Sequence, residues 1–237
     1  MNRYAAAYYD LVHGGREKDY AVEAGKVDAA IRAHGRPNPD TLLDVACGTG
    51  QHLLFLRNRY RVEGLDADAG MLEIARRRLS GVTLHHGDML TFDLGRRFDA
   101  VICLFSAIGH VRTRANLRRA VARMAAHLAP GGVLVIEPWI RPEDWRGERG
   151  IHGEMVDRPD VKVARLSLNT RRGRVTRLEM HYLAATLDGV RHVVERLTLG
   201  LFTHAEYVDA FERAGLRVHH DPAGLTGRGL YVGVAPA

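Results

Sequence analysis

The sequence predicts an α/β fold with a mostly parallel sheet, and three observations carry that prediction. Short apolar runs near 41–46, 60–65, 82–85, 98–104 and 132–137 alternate with helical patterns, as in a parallel sheet wrapped by helices on both faces. From about 153 to 200 the pattern changes to period two, which reads as an antiparallel insertion. After it, one helix and two short strands complete the sheet, with the last strand antiparallel. The 237 residues, 46% of them hydrophobic, suit one elaborated domain over 1–237. Its expected parts are a helical arm over 1–39, a core over 40–140, the insertion over 141–200, and a final helix and strands over 201–237.

Taken in order, the arm ends in a linker, residues 34–40, rich in Gly and Pro. The first strand carries Leu42, Leu43, Asp44 and Val45, then breaks into Ala46, Cys47, Gly48, Thr49 and Gly50 before a helix. Such a strand-to-helix glycine turn lets the backbone approach a nucleotide-like cofactor. The second run ends at Asp66, sixteen positions past Gly50, where a carboxylate can accept hydrogen bonds from both ribose hydroxyls. Met71, Leu72, Ala75 and Leu79 recur at helical spacing and face the sheet, whereas Arg76, Arg77 and Arg78 read as a solvated helix face. The third run meets Gly87, Asp88 and Met89, an acid and an apolar side chain suited to an adenine amino group and ring. Ala129 to Gly132 reads as a turn into the buried strand 133–136. Val161–Leu166 and Thr176–Tyr182 are the clearest period-two segments, and Thr203 with Glu206 has capping-box spacing at a helix start.

Composition excludes several classes. No apolar stretch nears the roughly 20 residues of a membrane helix, and residues 1–4 open no leader pattern, so a cytoplasmic protein is expected. Cys47 and Cys103 are the only cysteines and read as buried thiols in a reducing compartment. The net charge is +6, but Lys18, Lys26 and Lys162 are the only lysines and the arginines are scattered. A nucleic-acid surface would cluster basic residues with aromatics, so no nucleic-acid partner is expected. The charge instead suits an anionic small substrate.

The ordered set Asp44 to Gly50, Asp66 and Asp88-Met89 resembles the class I S-adenosylmethionine-dependent methyltransferases, with Ala46 at the usual first glycine. That resemblance implies a Rossmann-like sheet and S-adenosylmethionine as cofactor, with no metal. A narrower resemblance runs along nearly the whole chain, to the TDP-amino-sugar N-methyltransferases of antibiotic biosynthesis, the desosamine and mycaminose type. It rests on residues 9–13 with Gly15 and 18–20, on 42–50 and 85–89, on Phe105-Ser106 with 108–110, on Glu137-Pro138-Trp139, and on 227–230. It implies that Tyr9 and Tyr20 close over the cofactor, that Ala46, Cys47, Gly48 and Thr49 meet its methionyl part, and that Asp66 meets its ribose. Asp88 and Met89 would meet its adenine, with Leu104 nearby. Tyr4, Trp139, Arg165, Ser167, Asn169 and Arg228 would contact a TDP-linked amino deoxysugar, and a homodimer is implied. Trp139-Ile140 departs from the family's usual paired tryptophans, and residues 141–154 are more charged than the family segment.

Methyl transfer from a sulfonium needs an aligned, unprotonated nucleophile, so positioning carries most of the rate and a base is optional. His110, just past the fourth strand, is the candidate beside the sugar amine; the alternative is a histidine that caps the following helix. Arg165, Ser167 and Asn169 share a strand face that would equally suit the wet side of any antiparallel sheet. Other readings are a methyltransferase for a small free amine, a hydroxyl or a glycosylated natural product, an RNA-modifying protein, and a nicotinamide oxidoreductase. The choice between a C-3 and a C-4 amine, and between one and two methyl groups, stays open.

Overall fold

The computed structural model describes residues 8, 10–12, 14, 18–146 and 149–237; Tyr4 and Tyr9 lie outside these. Helix α1 (Tyr20–His34) is capped by Asp19, whose carboxylate accepts from the N–H groups of Ala21 and Val22. It leads into β1 (Thr41–Val45), α2 (Gln51–Leu56), β2 (Arg61–Asp66), α3 (Ala69–Arg78), β3 (Thr83–His86) and β4 (Phe98–Cys103). A 3₁₀ turn (Ala107–Val111), α4 (Arg114–Ala126) and β5 (Leu128–Ile136) follow. Then come β6 (Arg149–Asp157), β7 (Val161–Arg172), β8 (Val175–Thr186), β9 (Gly189–Gly200), α5 (His204–Arg213), β10 (Arg217–Asp221) and β11 (Leu230–Val234).

Seven strands form one sheet in the order β10-β11-β5-β4-β1-β2-β3, and β11 runs antiparallel to both its neighbours. The expected sheet is therefore present, with its antiparallel final strand. Adjacent residues serve opposite faces: Leu43, Val45 and Val101 pack under α4 and α5, while Leu42, Ala100 and Ile102 pack under α1, α2 and α3. Covering both faces explains why these strands are continuous apolar runs rather than alternating ones. Met71, Leu72, Ala75 and Leu79 are buried as the spacing predicts, and Thr203 and Glu206 form the capping box of α5.

Two expectations are corrected. Ala129 to Gly132 is not a turn before the strand but an irregularity within β5, which pairs Phe98 with Leu128 and then Ala100 with Val133. Arg78 does not belong to a solvated face, because its guanidinium reaches back to Thr49 O at 2.6 Å and Asp10 at 2.5 Å.

Strands β6 to β9 form a separate antiparallel sheet in sequence order. Its inner face buries Val163, Met180, Tyr182, Ala184 and Val193 with Tyr8 and Val12 of the arm. On its outer face Ile151, Met155, Leu166, Leu168, Leu183 and Val190 are exposed. The face that carries Arg165, Ser167 and Asn169 is thus the covered one, not the wet one.

Candidate active site

The carboxyl ends of β1, β2 and β3 meet in a row. Leaving β1, Ala46 takes φ +63°, and its N–H and that of Cys47 both donate to Leu65 O. The backbone thus bends over the end of β2 at once. Gly48 has φ +55°, and a Cβ there would point into open space, so its backbone is bare on the ligand side. Gly50, at φ +78°, lies against Leu79, whose Cδ1 would be 2.4 Å from an added Cβ.

Asp66 accepts from Gly48 N–H at 2.7 Å on one oxygen and from Asp68 N–H at 2.8 Å on the other. Each oxygen keeps a lone pair for a hydroxyl donor. Burial raises the Asp66 pKa, against the pull of those two N–H groups. Asp44 is more deeply buried, and burial together with the charge of Asp66 holds its carboxyl well above the usual range. Asp88 is exposed and turns the chain by accepting from Leu90 N–H, while Met89 packs half-buried on the core. Leu104 is buried at the end of β4. A bare glycine backbone beside a buried carboxylate, with an acid and an apolar side chain at the next strand end, fits S-adenosylmethionine.

The arm is fastened over this row. Asp10 accepts from the Thr49 hydroxyl at 2.7 Å and from Arg78, so the Thr49 side chain is committed to the arm and only its backbone faces the turn. Tyr20 is buried, edge-on to His52 at 5.0 Å. His52 and Lys18 both bond the buried carboxylate of Glu23, at 2.7 and 2.9 Å, and Lys18 lies 3.7 Å from the centre of the Phe105 ring. Burial lowers the Lys18 pKa in spite of Glu23. A cleft of about 620 Å³ borders this arm and includes Tyr20, Lys18 and Arg158, but none of Asp66, Asp88 or His110.

Past β4 the chain turns sharply, with Phe105 and Ser106 both at positive φ. His110 sits in the 3₁₀ turn that follows and is exposed. It does not cap the next helix, because Thr113 does. The protein mass around its ring, and then the charge of Arg112, hold its pKa below the usual histidine value, so the neutral imidazole dominates at neutral pH. Arg228 reaches this turn from the loop before β11: its Nη1 donates to Ser106 Oγ at 2.7 Å and its guanidinium lies 5.2 Å from the centre of the Trp139 ring. Trp139 is half-buried, and its indole N–H donates to Thr176 on β8.

Arg165, Ser167 and Asn169 alternate along the inner face of β7, and Asn169 lies two register positions from the rung that pairs Arg171 with Thr176. Arg165 pairs with Glu154 at 2.7 Å. Buried oxygens of Glu154, Asn169 and Glu195 on the same sheet have no hydrogen-bond partner. A polar ligand would satisfy such atoms. Among the described residues no group of three His, Cys, Asp or Glu side chains is arranged to hold a metal ion.

Several contributors were not singled out from the sequence: Asp10, Ser106, Glu137, Glu195 and Thr226. Asp10, Ser106 and Glu137 stand in segments that carried the narrower resemblance, and an acid at a buried strand end was a usable signal. Glu195 had none, since only cross-strand register separates it from solvent-facing acids such as Glu179.

A family model described as a methyltransferase domain matches residues 42–132. The dTDP-3-amino-3,6-dideoxy-alpha-D-glucopyranose N,N-dimethyltransferase of Streptomyces fradiae is 48% identical over 98% of this chain and 91% of its own length. The dTDP-4-amino-2,3,4,6-tetradeoxy-D-glucose N,N-dimethyltransferase of Saccharopolyspora spinosa is 43% identical over 97% and 92%. The crystal structure of DesVI from Streptomyces venezuelae superposes with a TM-score of 0.92 at 45% identity, covering 98% of each chain. That of S-adenosylmethionine-bound CalS10, an amino pentose methyltransferase, gives 0.85 at 47% identity over 99% of this chain and 97% of that one.

Proposed function

This chain belongs to the S-adenosylmethionine-dependent TDP-amino-sugar N,N-dimethyltransferases, and from that premise we propose that it methylates the amino group of a TDP-linked amino deoxysugar, twice, in antibiotic biosynthesis. The observation that carries the substrate reading is Arg228, hydrogen-bonded to Ser106 at the mouth of the turn that bears His110. A guanidinium there can pair with a diphosphate while the sugar amine lies toward the imidazole.

S-adenosylmethionine, when bound, supplies an electrophilic methyl group. Residues 46–49, Asp66, Asp88, Met89 and Leu104 would hold it, with Tyr20 and Tyr9 closing from the arm. Arg228 and Trp139 anchor the nucleotide end of the sugar substrate, with Tyr4 from the arm, and Arg165, Ser167 and Asn169 line the inner sheet beyond. His110, neutral at neutral pH, orients the unprotonated amine and takes the proton that the methylated nitrogen sheds. A second methylation needs the same lone pair re-presented after that proton has left. In this reading residues 40–140 form the cofactor-binding part of one domain and residues 141–200 its substrate-binding insertion.

We also propose a homodimer. Six exposed apolar side chains on the outer face of the insertion sheet, from Ile151 to Val190, make a patch that a second copy would cover. No described helix is long and apolar enough to cross a membrane, and two buried free cysteines suit work in the cytoplasm. The test of the substrate class is a comparison of turnover on a TDP-linked amino sugar and on the same sugar lacking the nucleotide. The proposal expects the first to be used at much lower concentration; equal use would favour the alternative, a small free amine or a glycosylated product.

A further inference from the structure

Arg228 comes from an exposed loop, yet its direction is determined by groups beneath the surface. Residues 222–229 fold back on themselves: Gly224 bridges Gly229, and a Cβ on Gly224 would come 2.4 Å from Gly229. Lys26 of α1 donates to Leu225 O at 3.1 Å. The loop then drops one side chain inward, and the Thr226 hydroxyl donates to Glu137 Oε1 at 2.7 Å. Glu137, at the end of β5, is 0% exposed. Its other oxygen accepts the Phe105 N–H at 2.7 Å, holding the positive-φ turn from which Ser106 receives Arg228. Ser106 is fixed in turn, donating to Pro138 O at 2.9 Å.

One buried carboxylate therefore ties the loop that carries the arginine to the turn that receives it. We propose that Glu137 and Thr226 are positioning residues, which hold Arg228 against Ser106 so that its guanidinium is ready for the substrate diphosphate before substrate arrives. This rests on the reading of Arg228 as the diphosphate ligand. Two features argue for positioning rather than simple folding. Thr226 stands at an exposed loop position, and its hydroxyl reaches inward to the buried carboxylate. The Glu137 carboxylate also divides its two oxygens between the two segments, one for the Phe105 N–H and one for the Thr226 hydroxyl. Pre-fixing the arginine removes the ordering cost from the binding step, which lowers KM without altering the reacting geometry.

The experiment is a cycle on the full-length enzyme with Thr226→Val, Thr226→Ser, Arg228→Ala and the double variant Thr226→Val with Arg228→Ala. Thr226→Val should raise the KM for the TDP-amino sugar about three- to ten-fold, a part of the roughly ten-fold or more that a hydrogen bond to a charged acceptor is worth. The kcat and the cofactor Kd should stay near wild type, and Thr226→Ser should restore KM. In the Arg228→Ala background Thr226→Val should add nothing, because its effect runs through that arginine. Glu137→Gln, which keeps one acceptor oxygen, should show the same KM bias more weakly. If Arg228→Ala raises KM while Thr226→Val does not, or if the two effects multiply, the positioning role is wrong and the diphosphate role stands. If Arg228→Ala leaves KM unchanged, the diphosphate role fails and the positioning role falls with it.

Discussion

The two sheets build their binding surfaces in opposite ways. At the carboxyl edge of the seven-stranded sheet each contact proposed for the cofactor comes from a strand end: the bare backbone at Gly48, the carboxylate of Asp66, and the pair Asp88-Met89. The four-stranded sheet works through its face, with Arg165, Ser167, Asn169, Glu154 and Glu195 brought together only by the register of β6 to β9. An edge site tolerates almost any sequence in the strands beneath it but demands special backbone at a few positions. A face site tolerates ordinary backbone but depends on every rung of its ladder. The first kind of site suits a cofactor common to many enzymes, and the second a substrate that varies between them.

The largest expected effect lies at the edge. Gly50→Val would force a β-branched residue into φ +78° and drive it into Leu79. Strain and overpacking together should cost about 2–4 kcal/mol, read as a lower melting temperature and lost cofactor binding. Next is Asp66→Ala, which removes the carboxylate proposed to accept from both ribose hydroxyls and should weaken cofactor binding by about 2–3 kcal/mol in calorimetry. A variant that binds normally would break the edge description.

On the substrate side Arg228→Ala should raise the sugar KM by the equivalent of about 1.5–3 kcal/mol with cofactor affinity unchanged. His110→Asn should lower kcat by about ten- to a hundred-fold with little change in cofactor Kd. The His110 pKa is lowered, and the proposed base is neutral above that pKa and charged below it. Wild-type kcat should then hold through pH 7 and fall only below the ordinary histidine range, and the His110→Asn variant should lack that limb. The smallest effect on catalysis is expected from Leu166→Asp on the outer face, which should yield monomers in light scattering while leaving the chemistry largely intact. A variant that stays dimeric would move the interface elsewhere.

The sequence made the edge site legible for the same reason that it is robust. Positive φ at Gly48 and Gly50, and one acid per strand end, are local demands that leave local marks. Ala46 shows the limit of that rule, since a non-glycine residue takes φ +63° where the glycine signature starts. The face site left only alternation, which Arg165, Ser167 and Asn169 share with any amphipathic strand. What sets their face apart is the packing of Tyr8 and Val12 against it, while the opposite face is exposed. Arg78 looked like a solvated helix residue because its partner Asp10 is 68 positions away, and helical periodicity carries no trace of such a contact. Thr226 and Glu137, 89 positions apart, were hidden in the same way.

The central claim is tested most directly by mass spectrometry of the reaction of this protein with S-adenosylmethionine and a panel of TDP-3-amino and TDP-4-amino deoxysugars. A nucleotide sugar should gain two methyl groups, through a transient product with one, on one of the two isomers. Intact cofactor binding with no methylated sugar from any member of the panel would contradict the claim.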